Sequence, residues 1–180
     1  MTNNKGGGLK PPSSFYLLNS RNEGDNELPR SKFNVNKDKE DRTCDGIVFD
    51  SKMEMHYYRD VLRPLVGSGT IANYELQKKY VLQNGFTHNG KNVNPITYVA
   101  DFYIEYTDGR VEVIDIKGYP DNVALIKRKL FWHTYPELDY KWLSYVKKYG
   151  GWVEFETLKQ LRKQDKLKKK KEAEENGSEE

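Results

Sequence analysis

A single cysteine, Cys44, in 180 residues excludes a disulfide framework and a thiolate zinc site. Histidine is almost as scarce. His56, His88 and His133 show no metal-ligand spacing, which argues against a zinc enzyme and leaves an oxygen-ligand Mg²⁺ or Mn²⁺ site open. No apolar run is long enough to span a membrane, and the N-terminal residues lack the apolar region of a signal peptide. We therefore expect a soluble, cytoplasmic protein with no membrane partner and no nucleotide cofactor. Apolar residues are also sparse, at 36% of the chain against 32% charged, with a mean hydropathy of -0.91. That balance predicts disordered ends around a smaller folded middle. The net charge of +3 permits nucleic-acid binding without arguing for it.

What is present falls into three stretches. Residues 1–31 hold Gly6-Gly7-Gly8, Pro11-Pro12, Ser13-Ser14 and scattered charge, and read as a disordered arm. Residues 32–161 read as one α/β domain. Residues 162–180, a basic block followed by an acidic one, read as a frayed helix and a disordered tail. Within the domain, Asp45-Gly46 marks a turn and Ile47-Val48-Phe49 a short strand. Asp50-Ser51 opens a helix to about Val66, with Met53, Tyr57, Val61 and Leu65 at helical spacing and Pro64 loosening its last turn. Ile71 to Leu82 reads as extended, broken near Gln77-Lys78, with turns at Asn84-Gly85 and Asn89-Gly90. Pro95 to Gly118 reads as a β-hairpin. Asp121 caps a helix to about Thr134 whose apolar side is Val123, Ile126, Leu130 and Phe131. Tyr140 to Val146 is a strand, and Gly150-Gly151 leads into a last helix. The order, α-β-β-β-α-β plus a C-terminal helix, predicts a mixed central sheet flanked by helices.

The hairpin carries two acids, Asp101 and Asp115, among apolar and β-branched neighbours, where ionised carboxylates are costly unless paired or metal-bound. The turn decides where they point. A two-residue loop at Asp108-Gly109 pairs Asp101 with Ile116 and puts the acids on opposite faces. A three-residue loop, Thr107 to Gly109, with Gly109 left-handed in a G1 bulge, pairs Asp101 with Asp115 and gathers Asp101, Asp115 and Lys117 on one face. The opposite face then carries Ala100, Phe102 and Ile104 against Ile114 and Ile116. We expect the bulge. Glu54 shares a face of the first helix with Tyr58, Val61 and Leu65 and so approaches the core. Ser51-x-x-Glu54 is also a capping box, and the two roles are compatible.

These features together resemble the PD-(D/E)xK nuclease superfamily, and within it phage endonuclease I and TnsA-like transposon-end nucleases. The chain is particularly similar to a family of phage proteins carrying FDS-x-x-E, ELQ, Y-x-AD-F and V-x-D-x-KG. Here those segments are Phe49-Asp50-Ser51 with Glu54, Glu75-Leu76-Gln77, Tyr98 with Ala100-Asp101-Phe102, and Val113 with Asp115, Lys117 and Gly118. Ala100 stands where the superfamily name has proline, and Asp115 where many members have glutamate.

The resemblance implies a restriction-endonuclease-like core and a Mg²⁺-dependent DNA endonuclease, with Mn²⁺ able to substitute. Asp101, Asp115, the Ile116 carbonyl and Glu54 would bind the metal, and Lys117 would orient the attacking water. The products would be a 5′-phosphate and a 3′-hydroxyl. The implied partner is DNA, with branched DNA as one candidate, in phage recombination or replication; a second copy of the chain, in a homodimer, is the other candidate partner. The alternative is a nuclease-like fold that binds DNA or protein without cutting. Gln77, Lys78, Lys79, Lys127, Arg128 and Lys129 are candidate phosphate contacts. A polar strand residue explains Gln77 more simply, and a solvated helix face explains the last three about equally well. Tyr98, Tyr103, Trp132 and Trp142 read as core rather than as base-stacking platforms.

Overall fold

In the computed structural model, residues 39–176 are described, all within one compact unit, Asn36–Glu180. The expected arm at 1–31 and the end of the expected tail lie outside the described residues. Five strands form the central sheet, in the order β3-β6-β7-β8-β9. They are β3 (Ile71–Gln83), β6 (Ile96–Tyr106), β7 (Val111–Ile116), β8 (Asp139–Val146) and β9 (Gly151–Glu154). All neighbours are antiparallel except β7 and β8, which run parallel and are joined through α3 (Asn122–Thr134). A mixed sheet is thus confirmed. β9 replaces the direct entry from Gly150-Gly151 into the last helix, because Trp152 and Val153 add an edge to β8 first. Two small hairpins lie off the sheet: β1 (Thr43–Cys44) with β2 (Ile47–Val48), and β4 (Phe86–His88) with β5 (Lys91–Val93). Their tight turns, Asp45-Gly46 and Asn89-Gly90, have φ of 52°, 80°, 48° and 73°, the left-handed pairs such loops require.

The first helical stretch runs through α1 (Lys52–Tyr57), a π-helical turn at Tyr58–Leu62, and α2 (Arg63–Gly67). In the π turn the Arg63 N–H bonds the Tyr58 carbonyl. This widening sits immediately ahead of Pro64, which has no N–H to donate and crowds the preceding turn. Tyr57, Tyr58 and Leu62 pack here with Phe102, Ile104 and Ile114. On the opposite face, Phe131 of α3 packs with Val113, Tyr140 and Trp142. Val113 and Ile114, one apart on a strand, point to these two faces, so helices flank the sheet on both sides.

Helix α3 is capped as expected, with the Asp121 carboxylate accepting from the Ala124 N–H at 2.7 Å. Its packed face differs from the expected one. Val123 and Ile126 are each 60% exposed, whereas Ala124, Leu125, Arg128, Leu130 and Phe131 turn inward. The reason is Arg128, whose guanidinium lies 4.3 Å from the Trp142 ring centre and 4.4 Å from that of Trp132, and pairs with Glu156 at 2.5 Å. An inward arginine rotates the helix away from the simple apolar pattern. The last helix, α4 (Phe155–Asn176), continues unbroken through the stretch expected to fray from Arg162.

Along β3 and β6 the core changes sides. Residues two apart on a strand normally share a face. Yet Tyr74, Leu76, Phe102 and Ile104 belong to the α1 side, whereas Tyr80, Leu82, Tyr98 and Ala100 belong to the α3 side. The pairing register stays constant from Leu76↔Phe102 to Lys78↔Ala100, so both strands turn over together at Gln77 and Asp101. Gln77 has φ of +55°, a left-handed conformation inside a strand. This is the break expected near Gln77-Lys78, achieved by backbone rotation rather than by an end to the strand. It also moves Ala100 off the face on which the hairpin geometry had placed it.

Candidate functional site

The loop of the β6–β7 hairpin sets the register. Tyr106 and Arg110 bracket a three-residue turn, with the Tyr106 N–H bonding the Arg110 carbonyl at 2.9 Å. Gly109, with φ of +87°, takes the left-handed position of the bulge. The ladder then pairs Glu105 with Val111 through Phe102 with Ile114. One step further stand Asp101 and Asp115, opposite each other, and there the ladder stops. In an antiparallel pair every second couple exchanges backbone bonds, so Ile116 would next bond Ala100. Instead the Ile116 N–H donates to Asp101 Oδ2 at 2.7 Å. Ala100 stays with Lys78 of β3, and Ile116 stays with Leu143 of β8. The strands part, and a carboxylate fills the fork. In extended backbone a residue's N–H and C=O leave on the same side, which turns the Ile116 carbonyl toward the opening.

Each carboxylate is positioned by a different element. Asp101 Oδ1 also accepts from the Gln77 amide at 3.3 Å, which is what the rotated backbone of Gln77 delivers. Asp115, 1% exposed, accepts from the Tyr98 hydroxyl at 2.7 Å on Oδ1. Its Oδ2 lies 2.5 Å from the Lys117 ammonium but receives no well-directed hydrogen bond. Glu54 enters from the first turn of α1. The Ser51 hydroxyl accepts from the Glu54 N–H at 3.2 Å and donates to Glu54 Oε1 at 2.7 Å, while Oε2 accepts from the Asp50 N–H at 3.2 Å. The capping box forms, and its glutamate is buried beside the fork at the same time. The Lys117 backbone is clamped by β8: its N–H donates to the Leu143 carbonyl at 2.8 Å, and its carbonyl accepts from the Ser144 hydroxyl.

Charge is unbalanced here. Burial pushes the Glu54 carboxyl up to about 7, with Asp50 and Asp115 adding to the shift and the Ser51 hydroxyl opposing it. Burial, then the charges of Asp115 and Glu54, hold Asp101 well above the usual carboxylate range. Burial also raises Asp115, against the pull of Lys117 and Tyr98. Burial works to lower the Lys117 ammonium, yet Asp115, Asp101 and Glu54 together keep it above its ordinary value. Two buried carboxylates, Glu54 and Asp115, and the half-buried Asp101 thus share one cation, and like charge adds to the upward shift of Glu54 and Asp101.

The donor chemistry fits a hard divalent cation: oxygens alone, excess negative charge, and one buried oxygen lacking a directed partner. Among the described residues, however, no three carboxylate, histidine or cysteine side chains stand close enough to hold an ion as they are placed. A bound ion would have to draw these carboxylates together and take over contacts now made by Lys117, Gln77 and Ser51.

The candidate phosphate contacts divide. Lys78 pairs with Glu75 at 3.1 Å and lies over the Tyr103 ring, beside the turnover. Lys79 and Lys129 are exposed, and Lys127 is half-buried. Arg128 is committed to its aromatic cage and Glu156, which removes it from the phosphate contacts. Tyr98 and Trp142 are buried core as expected; Tyr98 is in addition a site residue. Nothing in the spacing of the sequence links Tyr98 to Asp115, because on a regular strand it would face away.

The site and sheet define an α/β protein with a carboxylate-rich fork at the centre of a mixed sheet. The chain belongs to the family described as "Protein of unknown function (DUF1064)", matched over residues 30–151, which spans every residue of the fork. No curated protein matches the sequence.

Proposed function

We propose that the fork is the active site of a metal-dependent DNA endonuclease on a restriction-endonuclease-like core, of the PD-(D/E)xK type. The observation that carries this reading is the interrupted ladder at Asp101 and Ile116, which opens the sheet beside buried Glu54 and Asp115, half-buried Asp101 and Lys117. Asp101 and Asp115, with the Ile116 carbonyl and Glu54, are the residues that would hold Mg²⁺ or Mn²⁺. When bound, the ion polarises the scissile phosphate and lowers the pKa of the attacking water. The chain does the rest. Gln77 and the Ile116 N–H orient Asp101. Tyr98 fixes Asp115 through Oδ1. Lys117, paired here with Asp115, would position the attacking water and meet the negative charge that grows on the phosphate. Clamping of the Lys117 backbone by Leu143 and Ser144 keeps this ammonium in register with Asp115.

The second reading, a nuclease-like fold that binds without cutting, draws on the spread placement of the carboxylates. A cleavage panel over nicked, flapped, four-way and single-stranded DNA in Mg²⁺ separates the two. The enzyme cuts at least one of these, and Lys117→Ala loses cutting while keeping binding. Absence of cleavage across the panel in both Mg²⁺ and Mn²⁺ would favour the binding module. The four-way substrate also tests the narrower proposal of a role on branched DNA in phage recombination or replication.

A further inference from the structure

Helix α4 outlasts its own packing. Leu158 is fully buried and Leu161 half-buried, and Glu156 anchors the first turn to Arg128. The last tie to the core is Asp165, which accepts from Lys148 and from the Tyr149 hydroxyl. From Lys166 to Glu174 every side chain is exposed, yet the helix continues to Asn176. Arg162, Lys163, Lys166, Lys169 and Lys170 fall at offsets that place them along one helix face. From Arg162 to Lys170 that face is about 12 Å long at 1.5 Å rise per residue. Among the described residues, Arg162, Lys163 and Lys166 make no ion pair; the Lys169 charge acts on Asp165 one turn earlier, and Lys170 reaches Glu174 at 3.6 Å in an exposed pair.

We propose that this stripe is a docking surface for the phosphate backbone of nucleic acid, with double-stranded DNA as its ligand. The rest of the helix argues against other occupants. Leu167, 53% exposed, is the one large apolar residue after Leu161, so there is neither the apolar seam of a partner helix nor the apolar face of a membrane-surface helix. The cations are mostly lysines, compact point charges suited to phosphates rather than to bidentate reading of bases. The contact is therefore sequence-independent and salt-sensitive. Lys148 and Tyr149 hold Asp165 at the root of the projecting half, and the helix runs on from there to Asn176. The stripe stands whether or not the fork cuts DNA.

The test is fluorescence anisotropy of the full chain with a short labelled duplex, in EDTA, over a range of salt. The variant is Lys163→Gln/Lys166→Gln/Lys169→Gln/Lys170→Gln, in which glutamine keeps helix propensity. Affinity is expected to fall at least about tenfold. The slope of log affinity against log salt should shrink by about 0.9 for each phosphate that the variant no longer neutralises. Lys168→Gln/Lys171→Gln, off the stripe, should change both little, and circular dichroism should report equal helix content throughout. Unchanged affinity and slope in the fourfold variant overturns the proposal. So does an equal loss in the off-stripe pair, or equally tight binding to phosphatidylserine vesicles. Because EDTA withholds the divalent ions that cutting would need, the assay reads binding alone, and its outcome is independent of whether the fork is a nuclease.

Discussion

The two ends of the β6–β7 hairpin are built from adjacent residues of the same strands and behave in opposite ways. At the tip, Phe102↔Ile114 through Glu105↔Val111 form an unbroken ladder whose inward side chains, Phe102, Ile104 and Ile114, are fully buried. At the base, one pair further along, backbone pairing gives way to a carboxylate–amide bond, and buried charge replaces buried carbon. The tip contributes stability and little chemistry. The base carries the proposed site and draws on the tip for its placement, since a one-residue slip at Gly109 would send Asp101 and Asp115 to different faces.

The contrast can be broken by substitution. Phe102→Ala, at the tip, should cost about 3–5 kcal/mol in urea unfolding, the range for truncating a buried phenylalanine. Asp101→Asn, at the base, should leave metal-free stability equal or higher, because it removes one of three repelling carboxylates while keeping an acceptor for Ile116. A large loss from Asp101→Asn would mean that the base, too, is structural.

The effect of Lys117→Ala should depend on pH. Without its ammonium, buried Asp115 favours the protonated form more strongly. The folded state then binds more protons than the unfolded chain, and stability falls with rising pH by up to about 1.4 kcal/mol per unit for one proton. Urea midpoints at pH 5 and pH 8 should therefore separate more in the variant than in the parent, and an equal separation would contradict the pairing.

Glu54 gives a gentler version. Its folded carboxyl is raised from 4.5 to about 7, so the folded state retains a proton that the unfolded chain releases. The Glu54 contribution to metal-free stability is fully present below about pH 4.5 and is lost as pH climbs through about 7; Asp101 and Asp115 shift in the same direction. Glu54→Gln should flatten that decline. Millimolar Mg²⁺ should raise the melting temperature above pH 7 and have little effect near pH 5, where protons hold the carboxylates. The smallest effect is expected at Gln77. Gln77→Gly relieves a left-handed backbone while losing the bond to Asp101, so stability should move by less than about 1 kcal/mol in either direction.

Much of the frame was legible because local chemistry and tertiary structure agree. Asp108-Gly109, Ser51-x-x-Glu54 and Asp121 each specify a turn or a cap that the fold keeps. The unread parts are those where tertiary contacts override local pattern. β1 and β9, two and four residues long, are too short to show a period. Arg128 is polar in sequence yet buried among rings, so the apolar stripe on α3 points to the wrong face. The turnover at Gln77 reverses the alternation of β3 and β6, which hides Tyr98 as the partner of Asp115 and moves Ala100 across the sheet. α4 persists past Leu161 because lysine and glutamate are good helix formers and pair at i,i+4, as in Lys168–Glu172 and Lys170–Glu174.

As the proposed divalent-metal site, the fork between β6 and β7 should bind Mn²⁺. Titration of Mn²⁺, followed by loss of its free electron-paramagnetic-resonance signal, tests it most directly in the full chain and in Asp115→Asn. Saturable binding by the parent at millimolar Mn²⁺ or below is expected, with its loss in Asp115→Asn while the fold stays intact. No binding by the parent, or the same binding in both proteins, would contradict it.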